Sequence, residues 1–214
     1  MGQYDASIKR ILEIEWRVIR QLEDTLDREV MEQIIDLLLT VKPRGKKVIT
    51  AGCGTSGTVA RRVAHTLCVA EVPAFYCSPA NSIHGGMGAI QRDDVVVLFS
   101  KGGNTPEILN YIPCCRKKGA YVIGLSQNDD STLSMEADCY FKIEVNQEAD
   151  PWNMCASASC TAIIAVWDAI AFTIMRASGY SKEDLLLTHP GGKVGQLLRE
   201  EQEQAIIMAE ENGT

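Results

Sequence analysis

Between Lys47 and Val145 the sequence alternates five short apolar runs with amphipathic stretches, and few folds accommodate that order. The runs are Lys47–Ala51, Ala74–Tyr76, Val95–Phe99, Tyr121–Ser126 and Tyr140–Val145, and helix-like stretches begin near Gly57, Thr105 and Ser131. Strands alternating with helices of this length imply right-handed βαβ crossovers, hence a parallel sheet covered on both faces. The expected fold is α/β, a three-layer, flavodoxin-like, five-stranded parallel sheet with helices N-terminal to it. In such sheets ligands meet the carboxyl ends of the strands where strand order reverses, so the loops after the first and third strands are the places to search for chemistry.

The segments around this core are also patterned. Residues 1–45 carry apolar positions at helical spacing (Ile8, Ile11, Leu12, Trp16, Ile19, Leu22, then Val30, Ile34, Leu37, Leu38), read as two amphipathic helices broken near Asp27 and ended by Pro43 and Gly45. They are expected to pack on the domain or on a neighbouring subunit. Residues 46–198 form the expected domain. Met154–Ser178 reads as one long helix with almost no charge, ended by Arg176 and Gly179 and buried within the fold or at a subunit contact. A further helix is expected from Ser181, with Asp184 completing a capping box. Residues 199–214 open with Arg199-Glu200-Glu201-Gln202-Glu203 and read as a solvated acidic tail.

Composition closes off several classes. In 214 residues, 46% hydrophobic and 23% charged, there is apolar mass for a real core, which excludes disorder, collagen and coiled coil as readings of the whole chain. Lysine and arginine number 21 against 28 acidic residues, a net charge of −7, so nucleic acid is not an expected partner. The first nine residues lack the layout of a signal peptide, and no uninterrupted apolar stretch approaches the ~18 residues of a membrane span. The eight cysteines show no CxxC pair and no Cys/His cluster at zinc spacing, and several, such as Cys68, sit in apolar runs as buried hydrophobes would. A reduced, cytoplasmic chain without a metal site is the expectation.

Two loops could hold an anion. The first apolar run leads into Gly52-Cys53-Gly54-Thr55-Ser56-Gly57 and then a helix, where glycines permit close backbone approach and exposed amides attract negative charge. It is not a dinucleotide fingerprint, because the second run ends in Tyr76-Cys77-Ser78 instead of an acidic residue. The third run repeats the device with Ser100-Lys101-Gly102-Gly103-Asn104-Thr105-Pro106. Thr105 could simply cap the helix that Pro106 opens, but the small and hydroxyl-bearing residues before it favour phosphate binding.

The acid–base candidates are His84 in Ser82-Ile83-His84-Gly85-Gly86, Glu148 in Gln147-Glu148-Ala149-Asp150, and His189 in Thr188-His189-Pro190-Gly191-Gly192. His65, between Ala64 and Thr66 in a helical pattern, has no such setting. Pro190 biases His189 toward extended backbone and suits the first turn of a following helix, and the glycines beside it open space around the ring. Imidazole titrates near neutral pH and can pass protons during ring opening or enolisation.

Together these pieces resemble the sugar isomerase (SIS) domain and, within it, the arabinose-5-phosphate isomerases, over roughly Lys46 to Leu198. The resemblance is carried most specifically by Trp167-Asp168-Ala169-Ile170-Ala171, Arg176, Gly179-Tyr180-Ser181, Glu183-Asp184-Leu185 and His189-Pro190-Gly191-Gly192-Lys193-Val194-Gly195. His84-Gly85, Ile90, Arg92-Asp93-Asp94-Val95-Val96 and Asp130-Ser131-Thr132-Leu133 match as well. The resemblance implies an aldose–ketose isomerisation of a phosphorylated sugar through an enediolate, with no redox cofactor. By position it makes Glu148 the proton-shuttling carboxylate, His189 the catalytic histidine and His84 a further histidine of the site. Gly54, Thr55, Ser56, Ser100, Lys101, Gly102, Asn104 and Thr105 become the substrate- and phosphate-binding set. It also implies a homo-oligomer, dimer or tetramer, whose sites borrow residues from a neighbour.

The sequence departs from that pattern at two informative positions. Thr55 stands where the subfamily carries a lysine, and Asn104 where it carries a glutamate, so a cation and a second carboxylate are lost from the loops. Lys101 offers a partial replacement for the cation. Gly54-Thr55-Ser56 is closer to the isomerase domain of glucosamine-6-phosphate synthase, which leaves an amino sugar or another sugar open. Cys155-Ala156-Ser157-Ala158-Ser159-Cys160, the hydroxyl-rich segment after Glu148, is altered too. The paired CBS domains that often follow in the subfamily are not expected here. The rival expectation is a non-catalytic SIS protein that senses a phosphosugar, with phosphate loops kept and catalytic groups eroded.

Overall fold

The protein is described here by a computed structural model that covers residues 2–212. Strands β1 (Val48–Gly52), β2 (Ala74–Tyr76), β3 (Val95–Phe99), β4 (Tyr121–Ser126) and β5 (Cys139–Lys142) form one parallel sheet in the order β2-β1-β3-β4-β5. This is the expected doubly wound, three-layer α/β sheet. All five residues of β1 and of β3 are buried, with no polar alternation, because helices cover both faces of these central strands.

The last strand is the one whose limits differ most from expectation. The apolar pattern predicts it over Tyr140–Val145, but it runs over Cys139–Lys142, because its ladder needs β4, which ends when Ser126 pairs with Lys142. Residues beyond Lys142 leave the sheet and carry Glu148 back over its carboxyl edge.

Helices α1 (Asp5–Thr25) and α2 (Arg28–Val41) break where expected, since the Asp27 carboxylate accepts the Val30 N–H at 3.0 Å and starts α2. Helix α3 (Gly54–Val69) starts three residues earlier than Gly57 suggests and packs tightly on β1. A Cβ on Gly57 would lie 2.5 Å from the Gly52 carbonyl oxygen, so both glycines are required by that close approach. Short helices α4 (Pro79–Ser82), α5 (Pro106–Leu109) and α7 (Thr132–Glu136), with α6 (Tyr111–Lys118) and a 3₁₀ turn at Gly86–Ala89, complete the crossovers. Ile49, Ala51, Val96 and Leu98 face Tyr111, Ile112 and Cys115 of α6 in one core layer. On the other side Phe99 meets Trp167 of α8 (Ala158–Ala177), their ring centroids 6.0 Å apart.

The long apolar helix is shorter at its start than the sequence suggests, and residues 154–157 are not helical. Helix α8 is long and apolar enough to cross a membrane by length and composition, yet Ala162, Val166, Trp167 and Ile170 are buried in the core of the fold. Burial also corrects one cysteine: Cys68 is exposed, its thiol donating to the Ala74 carbonyl at 2.9 Å, whereas Cys77, Cys115 and Cys139 are buried. All eight thiols are free.

By internal packing the chain divides into two compact units, one ending at Ile174 and one beginning at Met175. The second contains α9 (Lys182–Thr188) and α10 (Gly192–Asn212). Ser181 and Asp184 form the full reciprocal capping box at the start of α9. Pro190 lies two residues ahead of α10 and not in its first turn, and His189 adopts φ −130°, ψ 58°. The acidic residues after Arg199 continue α10 and are solvent-exposed as far as the side chains are described.

Candidate functional site

The sheet order reverses between β1 and β3, and the loops that leave their carboxyl ends stand side by side there. Ser56, Ser100, Lys101 and Ser159 line one narrow cleft, floored by Phe99, Leu125 and Ile143, with ≈ 30 Å³ of internal room for water. The space suits a small group seated at its mouth more than a ligand swallowed whole.

Thr105 precedes α5, but its side chain makes no capping hydrogen bond. Its hydroxyl instead lies 2.9 Å from that of Ser100, whose Oγ accepts the Gly103 N–H at 3.1 Å. The loop is then tied to the next one: the Asn104 side-chain oxygen accepts the Thr132 N–H at 2.9 Å, and the Gly103 carbonyl accepts the Leu133 N–H at 3.1 Å. Asn104 is therefore a structural tie at the start of α7. The backbone N–H groups of Gly102, Asn104 and Thr105 have no acceptor among the described residues. In the first turn of α3, the N–H groups of Gly54, Thr55 and Ser56 have no helical acceptor either. Two sets of donors thus face the same edge, which is what an oxyanion requires. Gly54, Thr55, Gly102, Asn104 and Thr105 flank the cleft in sequence without lining it.

Glu148 is 2% exposed and is the most elaborately held carboxylate of the molecule's described part. Oε2 accepts the N–H groups of Ser157 at 2.9 Å and Ser159 at 3.1 Å; Oε1 accepts the Ser159 hydroxyl and the Lys101 ammonium, each at 2.5 Å. The Glu148 N–H donates to the Asn153 side chain at 2.6 Å. Ser159 is the second residue of α8, so the carboxylate also sits at the positive end of a 20-residue helix. Burial pushes the Glu148 carboxyl up, but the bonds from Lys101, Ser159 and the two backbone N–H groups outweigh it and hold it at about 2.

The late start of α8 follows from this arrangement. Asp150 accepts the N–H groups of Trp152, Met154 and Cys155 at 3.0, 2.8 and 2.9 Å, and Glu148 takes those of Ser157 and Ser159, so the N–H groups of residues 152, 154, 155 and 157 are satisfied on carboxylates and the segment forms a loop. Cys160 lines the cleft, where burial raises its thiol and the Glu148 charge raises it further, both favouring the protonated form.

Neither candidate histidine is among the residues lining this cleft, and Glu148 lies behind it, joined to it through Lys101 and Ser159, which do line it. His84 is exposed in the turn after α4 and makes no side-chain hydrogen bond among the described residues. His189 belongs to the second unit, where it caps α9 with its N–H on the Leu185 carbonyl at 2.7 Å and leaves its ring exposed. Ser159, Ser157 and Asn153 have no role assigned from sequence. Their available signal is the run of small hydroxyl residues following a carboxylate and a proline, which marks a loop poised to donate N–H groups before a helix.

Known proteins show the same framework. Residues 44–173 match the family described as the SIS domain. The chain is 37% identical over 163 residues to arabinose 5-phosphate isomerase KdsD of Pseudomonas aeruginosa, covering 76% of this chain and 49% of that one. It is 33% identical over 190 residues to KdsD of Yersinia pestis, covering 89% and 57%. It therefore spans about half the length of the curated relatives it matches. Among solved structures, an Escherichia coli CFT073 protein in complex with arabinose 5-phosphate superposes with a TM-score of 0.83 at 30% identity, covering 89% of this chain and all of that one. By sequence match, by sheet order and by these relatives, the chain belongs to the SIS domain family.

Proposed function

We propose that this chain interconverts an aldose phosphate and its ketose through an enediolate, with arabinose 5-phosphate and ribulose 5-phosphate as the pair. The observation that carries the reading is Glu148: a carboxylate buried at the carboxyl edge of the sheet, fixed by serine and backbone donors beside a loop with unpaired N–H groups. The phosphate would be held by the N–H groups and hydroxyls of the loops at 54–56 and 100–105. Glu148 would take the proton from C2 of the open aldose and return it to C1, so that the enediolate oxygen at C1 is protonated and the C2 hydroxyl becomes the ketone. His189, and His84 with it, would assist ring opening and proton transfer on the sugar oxygens. The net change is one proton moved from C2 to C1 and one from the C2 hydroxyl to the C1 oxygen, the proton held on Glu148 between the two carbon transfers being open to exchange with solvent, and the scheme calls for no cofactor. The relatives named as arabinose 5-phosphate isomerases support the choice of sugar.

The reading extends to a homo-oligomer in a reducing cytoplasm. It is supported by a second apolar stripe on α1, where Ile8, Leu12 and Trp16 are 55, 62 and 64% exposed, and by eight free thiols.

The sensor reading draws on a specific observation: a carboxylate held at about 2 is a weak base, and Asn104 and Thr55 are neutral. Proton NMR of pentose and hexose phosphates, amino sugars included, incubated with the protein in deuterated water separates the two. Interconversion of one sugar with exchange of the proton next to the carbonyl is the result expected of an isomerase. Line broadening by binding, with no exchange in any sugar, would replace it with the sensor.

A further inference from the structure

Across residues 53–57 and 100–105, the two loops at the edge of the sheet, the sole cationic side chain is Lys101. Its ammonium is already engaged, with Nζ 2.5 Å from Glu148 Oε1. The two partners are unlike: the Lys101 side chain is 40% exposed at the end of a flexible stem, and the Glu148 side chain is 1% exposed. Glu148 has other donors, from Ser157 and Ser159, that belong to the loop before α8 and to α8 itself, and these hold its position without the lysine. An ammonium is a compact charge with three donors and no fixed fork, so it can be drawn to a more highly charged oxyanion at little geometric cost.

We propose that Lys101 is a positioning residue exchanged between two anions: it leaves its pair with Glu148 for the phosphate of an incoming sugar, so that binding itself releases Glu148 to act as a base. This rests on the proposed isomerase reading for the role of Glu148. It goes beyond it in giving the loop lysine a task that neither Thr55 nor Asn104 can perform. No bond is made or broken in the exchange, and no proton moves. The base is kept charged and quiet until a phosphorylated ligand is present, and an unphosphorylated sugar would leave the pair closed.

The test reads binding of inorganic phosphate by calorimetry, apart from turnover, in wild type, Glu148→Gln, Lys101→Met and the double variant. If the two anions compete for Nζ, Glu148→Gln tightens phosphate binding by about tenfold when position 101 is lysine and changes it little when position 101 is methionine. Lys101→Arg, which keeps the charge, restores most of the affinity lost in Lys101→Met. With arabinose 5-phosphate, Lys101→Met raises KM by about tenfold and lowers kcat by much less, because its Glu148 is never restrained. Equal tightening by Glu148→Gln in both backgrounds would show plain charge repulsion and overturn the exchange alone. Absence of phosphate binding in every variant would overturn the exchange and the anion site of the proposed function together.

Discussion

Glu148 is charged in a place where charge is costly, and its partners decide the sign of the balance. Its value of about 2 lies below the ordinary 4.5, so folding favours the ionised form. That contribution is complete above the ordinary value and is lost as pH falls toward about 2. Denaturant unfolding of wild type and Glu148→Gln should therefore show a stability advantage for wild type at pH 6 that narrows between about pH 5 and pH 2. A constant gap across that window would mean that the charge of Glu148 is not what its partners hold. The main groups facing it are Lys101, the serines at 157 and 159, and the Cys160 thiol, which stays protonated throughout. Glu148 and Lys101 could be named from the sequence because a carboxylate motif and a cation in a glycine-rich loop are local patterns. Their pairing could not, since it joins residues 47 positions apart through two loops whose path only the sheet defines.

At the scale of elements, strand and helix periodicity places β2, β3 and β4 at their observed limits and locates the break between α1 and α2 at its capping aspartate. The errors fall where a local pattern yields to a non-local partner. Tyr140–Val145 is apolar beyond the point at which β4 can pair with it, and Met154–Ser157 is apolar or small but spends its donors on Asp150 and Glu148. The loop after β3 shows the same limit. Gly103 suggests room for a ligand, yet it has φ +71°, and a Cβ there would lie 2.1 Å from the Ser131 Oγ, so the glycine lets the third loop pack on the fourth. Gly103→Ala should lower stability by about 2 kcal/mol or more, read by denaturant unfolding, and weaken phosphate binding because the loop must shift. Unchanged unfolding and binding would mean that the two loops are not pinned together at this point.

For the molecule as a whole, α1 is apolar on two sides. Ile14, Val18 and Leu22 are buried, and Ile8, Leu12, Trp16 and Ile19 form a second stripe that is open to solvent in the single chain. Such a stripe marks a contact surface, and the proposed homo-oligomer is the partner it suits. Replacing Leu12 and Trp16 together by glutamate should shift sedimentation toward the monomer while leaving the circular dichroism of the fold in place. Sedimentation unchanged by both substitutions would remove α1 from the contact. Fold class was legible because the sheet is built from local runs in a fixed alternation. The reaction was less so, because it depends on which side chains share one cleft. The central claim is that Glu148 moves a carbon-bound proton of a phosphorylated sugar, and deuterium wash-in at the carbon next to the carbonyl measures it directly. With arabinose 5-phosphate in deuterated water, wild type should exchange that proton, and Glu148→Gln should exchange it about 10²- to 10⁴-fold more slowly while still binding phosphate. Exchange by Glu148→Gln at the wild-type rate would contradict the account.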